Sequence, residues 1–282
     1  MLSLTNSDFF MSYSLIDSGN QQKLERFGSS TLIRPCSQAI WKPSLKKWEA
    51  DAIFSRDEGN RWEYKRSLPK DWVVTIEGIR FKVAPTDFGH LGVFPEHSLL
   101  FASMQKLLVL RREPRVLNLF AYSGGATLAC AKAGAKVCHV DASKGMVSWA
   151  RENAGLNHFL DKPIRWIIED VKKFLKREIK RGSFYEAIIL DPPSFGRGNK
   201  GEIFKIEEDV IELLDLCKHL LSEDALFLLF TTHTPGITPI VIQNLMKQLL
   251  PEGNIESDEL LVPSENGFSI PYGSFAWWLP PC

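Results

Sequence analysis

The sequence predicts an α/β protein in which a small β-rich N-terminal domain precedes a doubly wound, mostly parallel, seven-stranded Rossmann-like sheet. Beyond residue 115, apolar runs of strand length alternate with stretches of helical periodicity, and that order requires a parallel sheet with helices on both faces. Before about residue 100 the segments are shorter and are broken by Pro, Gly and Asp, as in antiparallel strands. We therefore expect a β-rich domain over residues 1–97 and the main domain over residues 98–282.

Composition and charge narrow the possible functions. Lys and Arg together number 34, as do Asp and Glu, so any attraction to nucleic acid has to come from a local patch. The five cysteines are scattered without a C-x-x-C spacing, which indicates reduced thiols and predicts no metal site. No apolar run reaches the roughly 20 residues of a membrane helix, and the N-terminal residues lack the basic start of a signal peptide. These features favour a cytoplasmic protein without a membrane partner and leave the oligomeric state open.

One stretch, Val116–Asp141, reads VLNLFAYSGGATLACAKAGAKVCHVD and organises the main domain. An apolar strand is followed by a sharp turn at Gly124 and Gly125, where we expect bare backbone to approach a ligand. A helix of small residues then ends at Gly134, and a second strand ends on Asp141. This order is the mononucleotide-binding half of a doubly wound sheet, with an acid placed to accept bonds from ribose hydroxyls.

The glycine spacing indicates the kind of ligand. A dinucleotide fold requires G-x-G-x-x-G, whereas this turn has Ser123, Gly124 and Gly125 and no third glycine in the helix. A ligand with adenosine and no phosphates, such as S-adenosylmethionine, fits better than one with a pyrophosphate. A nicotinamide or flavin, and a tightly packed turn without ligand, are the alternatives that this stretch leaves open.

The other elements follow in order. In the N-terminal part, two short antiparallel strands are joined at Glu77 and Gly78, and four tryptophans there either fill a core or form a base-stacking platform. After Asp141, Ser143 is a plausible N-cap of a helix whose buried stripe contains Met146, Trp149, Ala150 and Ala154. Further strands are expected at 164–168, 187–190, 225–231, 259–262 and 274–279, and further helices at 98–108, 171–180, 206–221 and 237–250.

Two segments beside the predicted ligand site have two interpretations each. The loop over residues 88–97 contains two glycines and two histidines, and either lines the entrance to the site or merely joins the domains. The helix over residues 171–180 is rich in Lys and Arg, which form either a solvated face or an edge that contacts phosphates.

The glycine turn is the first anchor of the predicted site. The second anchor follows the strand at 187–190 and reads Asp191-Pro192-Pro193-Ser194-Phe195. Because ligands lie at the carboxyl ends of parallel strands, this loop is expected on the same rim as Gly124 and Asp141. The two prolines make the loop rigid and leave it with acceptors, a surface that suits an amine. Phe195 would stack on a planar ring.

These motifs resemble class I S-adenosylmethionine-dependent methyltransferases. FAYSGGAT at 120–127, the acids Asp141 and Asp170, and DPPSF are most similar to the bacterial large-subunit ribosomal RNA methyltransferases whose cofactor turn reads F-x-Y-[ST]-G-G. The resemblance covers about residue 91 to the C-terminus, and residues 1–90 are similar to a related group. The PUA-type RNA-binding module of the family is not visible, and Asn118 replaces the acid that many class I enzymes have in strand one.

The resemblance implies roles for matching residues. Tyr122, Ser123 and Gly124 would surround the amino-acid end of S-adenosylmethionine, Asp141 would bind the ribose, and Asp170 with Val171 would meet the adenine edge. The expected catalytic residues, which position the acceptor, are Asp191, Pro192 and Phe195. The full set of expected cofactor-binding residues is Phe94, Phe120, Tyr122, Ser123, Gly124, Gly125, Asp141, Ala142, Ser143, Asp170, Val171 and Asp191.

The cysteine positions indicate which atom is methylated. Methylation of pyrimidine carbon 5 needs a thiolate on the rim, and the corresponding places here are Ser194 and residues 231–234. We therefore expect transfer to a nitrogen of an RNA base, with ribosomal RNA favoured, and His233 is a candidate base or a structural turn residue. The alternatives are a protein or small-molecule amine as acceptor, a nicotinamide-dependent oxidoreductase, and a binding module without turnover.

Overall fold

The structure is a computed structural model that describes residues 12–57, 59–198 and 201–281. The chain divides into two compact units, Met1–Ser98 with Leu261–Pro271, and Leu99–Leu260 with Tyr272–Cys282. The stretch 261–271, which we assigned from sequence to the main domain, therefore groups with the first unit. It does so because Glu265 and Asn266 donate backbone hydrogen bonds to the carbonyls of Leu15 and Ile16. Most of the N-terminal stretch that lacks signal-peptide features lies outside the described residues.

The first unit is β-rich, as predicted. A five-stranded sheet has strands in chain order, and its members are β1 Tyr13–Gly19, β2 Gln22–Phe27, β3 Ser30–Pro35, β4 Ala52–Ser55 and β5 Arg61–Tyr64. The predicted hairpin is confirmed as β6 Val73–Ile76 and β7 Ile79–Lys82. Its turn residues both have positive φ, 50° at Glu77 and 66° at Gly78, which is the conformation of a type I′ turn.

Of the four N-terminal tryptophans, Trp72 is buried, and Trp41, Trp48 and Trp62 are partly buried. Trp72 is 4% exposed and donates a hydrogen bond to the carbonyl of Phe27. Trp48 donates to the buried carboxylate of Asp17, and the indole N–H groups of the other two also donate within the unit. Their hydrogen bonds agree with core filling rather than with an open stacking platform.

The second unit alternates helices and strands. Its elements begin with α1 Phe101–Leu108, which follows a 3₁₀ helix at Pro95–Leu100; the others are β8 Arg115–Leu119, α2 Gly125–Lys132, β9 Lys136–Asp141, α3 Lys144–Leu156, β10 Ile164–Ile168, α4 Val171–Lys180, β11 Ala187–Leu190, β12 Phe195–Arg197, β13 Ile203–Lys205, α5 Ile206–Lys218, β14 Phe227–Thr232, α6 Pro239–Leu249, β15 Asn254–Val262 and β16 Ile270–Leu279. The short hairpin of β12 and β13 was not foreseen, because strands of three residues are too short to show a period.

The sheet has seven strands in the order β10-β9-β8-β11-β14-β16-β15. Strands β10, β9, β8, β11 and β14 are parallel to one another, and β16 is antiparallel to β14. The predicted doubly wound, mostly parallel fold is confirmed. The order reverses between β8 and β11, since the chain moves from β8 outward to β10 and then returns, and ligands bind at such a switch point.

Burial follows the predicted pattern with one correction on α3. Ala150 and Ala154 are buried as expected, but Met146 and Trp149 are only partly buried. Val147 and Asn153 complete the buried face instead. Successive residues of a helix are 100° apart, so Trp149 lies at the edge of the face that is centred on Ala150.

Within the part of the chain that the structure describes, the longest helices are too short and too polar to cross a bilayer. The cysteines at 36, 130, 138 and 217 are unbridged, as expected for reduced thiols, while Cys282 lies outside the described residues.

Candidate active site at the carboxyl ends of the parallel strands

The sheet brings both predicted anchors to one rim. Leu119 at the end of β8 pairs with Val140 on β9 and with Leu190 on β11, so Phe120, Asp141 and Asp191 leave the sheet at the same level. Neighbouring strands are about 4.8 Å apart, which separates the backbones at Asp141 and Asp191 by roughly 10 Å. The two segments therefore flank the switch point from opposite sides.

The turn after β8 contains three residues in the left-handed region. Phe120, Tyr122 and Gly124 have φ of 53°, 49° and 91°. Bulky residues at positive φ cost of order 1 kcal/mol or more each, and such strain is typical of functional sites. Hydrogen bonds hold the turn, since Ala121 N–H donates to the Val140 carbonyl at 3.1 Å and Gly124 N–H donates to the Ala121 carbonyl at 3.0 Å.

The two glycines of this turn are explained by packing within the unit. A Cβ on Gly124 would come within 3.0 Å of the Ala150 Cβ, and one on Gly125 within 3.3 Å of the Phe101 ring. Gly124 also needs its φ of 91°. The places of the missing side chains face α3 and α1, and the approach of the bare backbone to a ligand stays a prediction.

Asp141 connects the two loops of the mononucleotide half. Its Oδ2 accepts from the Tyr122 N–H at 2.9 Å and its Oδ1 accepts from the Ser143 N–H at 2.8 Å. Burial raises the pKa of this carboxyl, while the two amide donors oppose that rise. A carboxylate has about four acceptor positions, so these two bonds leave capacity for the hydroxyls of a ribose.

The residues beyond β9 and β10 begin helices. Ser143 is the N-cap of α3, as predicted, and its hydroxyl accepts from the Met146 N–H at 3.4 Å. Ala142, between Asp141 and Ser143, is partly buried. Asp170 is the N-cap of α4 and accepts from the Lys173 N–H at 2.9 Å.

A residue of β14 holds the second anchor in place. The Thr231 hydroxyl donates to Asp191 Oδ1 at 2.7 Å, which fixes the carboxylate beside the switch point. Pro192 is buried, whereas Phe195, on β12, is 50% exposed. The Arg197 guanidinium lies over this ring, 5.7 Å from its centroid, and stacking of Phe195 on a base stays a prediction.

Phe120 connects the two anchors. Its ring centroid lies 5.3 Å from that of Phe204, which is on β13 of the same hairpin as Phe195. The side chain of Phe120 is therefore committed to packing, and only its backbone belongs to the turn.

His233 lies beside Asp191, with a ring nitrogen and a carboxylate oxygen within 4.8 Å. Its Nδ1 lies 2.8 Å from the Tyr272 carbonyl, and because a carbonyl can only accept, Nδ1 carries a proton. A Cβ on Gly273 would come within 3.0 Å of that nitrogen, so the glycine permits this contact.

Phe94 belongs to the first unit. Its ring centroid lies 5.2 Å from that of His90 and 5.8 Å from that of His97, so the three rings form a cluster in the loop at 88–97. Whether this loop lines the entrance to the cofactor site stays a prediction.

The basic helix α4 is paired with acids. Lys172 bonds to Asp209 at 2.6 Å and to Glu212 at 2.6 Å, and Lys176 bonds to Glu212 at 2.7 Å. Lys173 pairs with Glu202 and Arg177 with Glu169. These partners agree with a solvated face and leave little charge for a phosphate-contacting edge.

Sequence reasoning missed the buried polar residues below the turn. Asn153 is 0% exposed and donates to the Ser123 carbonyl at 3.0 Å. Thr127 and His139 are equally buried and bond to each other at 2.9 Å. A polar residue among apolar ones on α2 or β9 is a weak signal, because the sequence does not show what it faces.

The described rim residues fit an adenosine-bearing ligand. Asp141 has remaining acceptor capacity at the end of β9, and the turn lies directly beside it. The helix start at Gly125 has no third glycine for a pyrophosphate.

Comparison with known proteins agrees with this geometry. The sequence profile of the S-adenosylmethionine-dependent methyltransferases matches residues 45–250. Among curated proteins, "Ribosomal RNA large subunit methyltransferase K/L" of Pseudomonas paraeruginosa is 37% identical over 164 residues, which are 57% of this chain and 22% of that protein. The protein of the same name from Pseudoalteromonas translucida is 33% identical over 166 residues. The chain thus spans about a fifth of these relatives' length.

Among solved structures, the SAM-dependent methyltransferase from Agrobacterium tumefaciens is 38% identical, with a TM-score of 0.91 over 95% of this chain and 90% of that chain. The structure of SMU.776 complexed with SAH is 19% identical with a TM-score of 0.74, covers 95% of this chain and 76% of that one, and supports the fold alone. The alternative of a nicotinamide-dependent oxidoreductase is excluded by the family match. The chain belongs to the S-adenosylmethionine-dependent methyltransferase family, and S-adenosylmethionine is its cofactor.

Proposed function

We propose that this methyltransferase modifies a nitrogen of an RNA base, with ribosomal RNA favoured as the substrate. The curated relatives that it matches are named as ribosomal RNA large subunit methyltransferases, although they extend far beyond the matched region. The observation that carries the choice of nitrogen is the Asp191 carboxylate, which Thr231 orients beside the switch point. A ribosomal RNA substrate would place the reaction in the cytoplasm.

The cofactor-binding roles are part of the proposal. Tyr122, Ser123 and Gly124 hold the amino-acid end, Asp141 accepts from the ribose hydroxyls, and Asp170 with Val171 borders the adenine. Phe120, Gly125, Ala142 and Ser143 complete the set within the second unit, with Phe120 and Gly125 acting through packing. When bound, the cofactor supplies an electrophilic methyl group on a sulfonium.

On the acceptor side, Asp191 and the rigid corner at Pro192 hold the N–H groups of an amine, so that its lone pair stays available. Alignment of this kind accelerates a displacement by fixing the attack geometry. Phe195 stacks on the base. His233, whose Nδ1 proton is directed to the Tyr272 carbonyl, is the candidate base.

The thiols argue against methylation at pyrimidine carbon 5. Cys130, Cys138 and Cys217 are at most 4% exposed, and burial raises the pKa of each thiol. A buried thiol with a raised pKa is a poor nucleophile. Ser194, at the place of the nucleophilic cysteine, instead bonds to Thr234 at 2.8 Å.

The proposal is tested by incubating the protein with methyl-labelled S-adenosylmethionine and ribosomal RNA from a strain that lacks the gene. The RNA is then digested and its nucleosides are identified by mass spectrometry. We expect one labelled N-methyl nucleoside, which is absent with RNA from the wild-type strain because the site is already modified. Asp141→Ala is the matched control, and it loses both cofactor binding in titration calorimetry and transfer.

Other outcomes would contradict parts of the proposal. Label on a carbon of a pyrimidine would overturn the choice of nitrogen. Label only on protein or on small amines in a whole-cell extract would favour the alternative acceptors. Cofactor binding without any transfer to RNA or extract would favour a binding module without turnover.

A further inference from the structure

A chain of three buried polar side chains lies directly below the cofactor turn. Asn118 on β8, Thr127 on α2 and His139 on β9 are 3%, 0% and 0% exposed. Asn118 Nδ2 lies 2.8 Å from Thr127 Oγ1, which lies 2.9 Å from His139 Nδ1. We name these three residues the buried relay. It joins the two strands and the helix whose ends form the cofactor turn.

The chemistry of these groups gives the relay a direction. The Asn118 amide nitrogen can only donate, so the Thr127 oxygen accepts from it. The hydroxyl proton of Thr127 then goes to His139 Nδ1, the second partner of that oxygen. In the arrangement that gives the Thr127 hydroxyl proton a partner, His139 Nδ1 is the acceptor and the neutral ring carries its proton on Nε2.

One ring nitrogen of His139 is enclosed without a hydrogen bond to any described residue, which is unfavourable for a residue that serves packing alone. His139 Nε2 is fully enclosed and lacks a hydrogen-bond partner among the residues that the structure describes. The ring packs against Trp166, with centroids 4.8 Å apart. An apolar side chain of similar size would avoid the cost of an enclosed, unsatisfied donor.

The relay is placed to control the geometry of the cofactor turn. A Cβ on Gly124 would lie 3.9 Å from His139 Cε1, so the ring lies next to the left-handed residue of the turn. His139 precedes Asp141 by two residues and Asn118 precedes Phe120 by two. A shift of β9 against β8 would therefore alter the 2.9 Å bond between Asp141 and the Tyr122 N–H.

We propose that Asn118, Thr127 and His139 are positioning residues that set the affinity for S-adenosylmethionine by holding β8, α2 and β9 in the register that the cofactor turn requires. The relay does not touch the reacting atoms. It also explains Asn118, since an amide donates to Thr127 whereas a carboxylate in its place could not. The inference depends on the cofactor and not on the RNA substrate, so failure of either proposal leaves the other testable.

The main test measures the affinity of the purified full chain for S-adenosylhomocysteine by titration calorimetry, without RNA. Thr127→Val keeps the size of the side chain and removes the hydroxyl, and we expect affinity to fall about tenfold or more. Thr127→Ser keeps the hydroxyl and is expected to bind within about twofold of the wild type. Equal affinities of Thr127→Val and the wild type would overturn the proposal.

Cys130→Ala is the matched control for loss of stability. Cys130 lies on the same helix, is 0% exposed and is not a member of the relay. We expect it to lower the unfolding midpoint with affinity unchanged within about twofold. A loss of affinity as large as that of Thr127→Val would mean that any weakening of α2 suffices, and the positioning role would be wrong.

A second readout does not require any variant to fold. Nitrogen-15 NMR of histidine-labelled wild-type protein shows which ring nitrogen of His139 carries the proton. We expect the proton on Nε2 across neutral pH. A proton on Nδ1 would contradict the direction of the relay and overturn the proposal. In the calorimetric test, a loss of affinity in Thr127→Ser equal to that in Thr127→Val would also overturn it.

Discussion

His139 and Asp141 lie two residues apart on β9, and burial shifts both pKa values toward the neutral form. Burial raises the pKa of the Asp141 carboxyl, whereas it lowers the pKa of His139 to about 3. Asp141 keeps two backbone donors as compensation, and His139 has the Thr127 hydroxyl. The same strand therefore carries an acid that we propose as a ligand contact and a histidine whose neutral form burial favours.

The pKa of His139 predicts a pH dependence of stability. An unfolded histidine has a pKa of about 6.5, so between that pH and about 3 the unfolded state binds a proton that the folded state refuses. Stability from this residue is complete above pH 6.5 and falls by about 1.4 kcal/mol per pH unit below it. We expect a loss of about 2 kcal/mol between pH 6.5 and pH 5.0 from His139 alone.

The measurement compares denaturant unfolding of the wild type and His139→Phe at both pH values. Contributions from the other titrating groups are common to both proteins and cancel in the difference. The wild type should lose more stability than the variant, and parallel losses would show that His139 is protonated in the folded state.

Gly124 and Gly134 allow the cost of a side chain at positive φ to be separated from the cost of a steric contact. Their φ values are 91° and 89°, but a Cβ on Gly124 meets Ala150 at 3.0 Å whereas one on Gly134 meets nothing within 4 Å. We expect Gly134→Ala to cost about 1 kcal/mol and to leave cofactor affinity unchanged. Gly124→Ala should cost more and weaken cofactor binding, because α3 and the turn must separate.

The comparison uses the free energy of unfolding from denaturant curves together with calorimetric titration of S-adenosylhomocysteine. If the two variants lose the same stability and both bind the cofactor normally, the contact between Gly124 and Ala150 has no role in shaping the turn.

At the start of helix α4, Asp170 has an observed capping role and a proposed role in cofactor binding. Asp170 caps the helix, and an alanine at an N-cap costs about 1 kcal/mol. We predict that Asp170→Ala lowers both stability and cofactor affinity, while Asp170→Ser restores the stability and not the affinity. Full recovery of affinity with serine, measured by calorimetry beside thermal unfolding, would reduce Asp170 to a cap.

The basic residues of α4 are explained by the acidic residues of the helix packed beside it, α5. The acids Asp209 and Glu212 on α5 neutralise Lys172 and Lys176, so the basic pattern stabilises a helix pair. Ion pairs at the surface contribute about 0–1 kcal/mol each, and here the acids offset the positive charge of this face.

At the scale of the whole molecule, thiol reactivity reports on global stability. Cys36, Cys130, Cys138 and Cys217 are at most 4% exposed, and burial raises the pKa of all four thiols, to about 11 at Cys138. At pH 8 a thiol with that pKa is ionised in about one molecule in a thousand.

We therefore predict that the four thiols of a Cys282→Ser variant react with Ellman's reagent only as fast as the protein opens. The reaction should become rapid near the denaturant midpoint and should slow when cofactor is added. One thiol equivalent reacting immediately in the native protein would contradict the burial of that cysteine.

Much of the main domain follows from the sequence because its signals are local. Buried strands, helix caps such as Ser143 and the loop at Asp191 are each visible within a few residues. The parallel order then places strand ends on one rim, so the cofactor and the candidate site follow without coordinates.

The sequence by itself determined the doubly wound fold, the cofactor and the two motifs of the candidate site, since each depends on periodicity or on a short motif. Only the tertiary structure decided what the side chains face: α3 and α1 beside the glycines, acids beside the α4 lysines, and Thr127 beside His139. It also decided that residues 261–271 belong with the first unit. These facts depend on contacts between residues far apart in the chain, and no local pattern encodes which partner a buried polar group will meet.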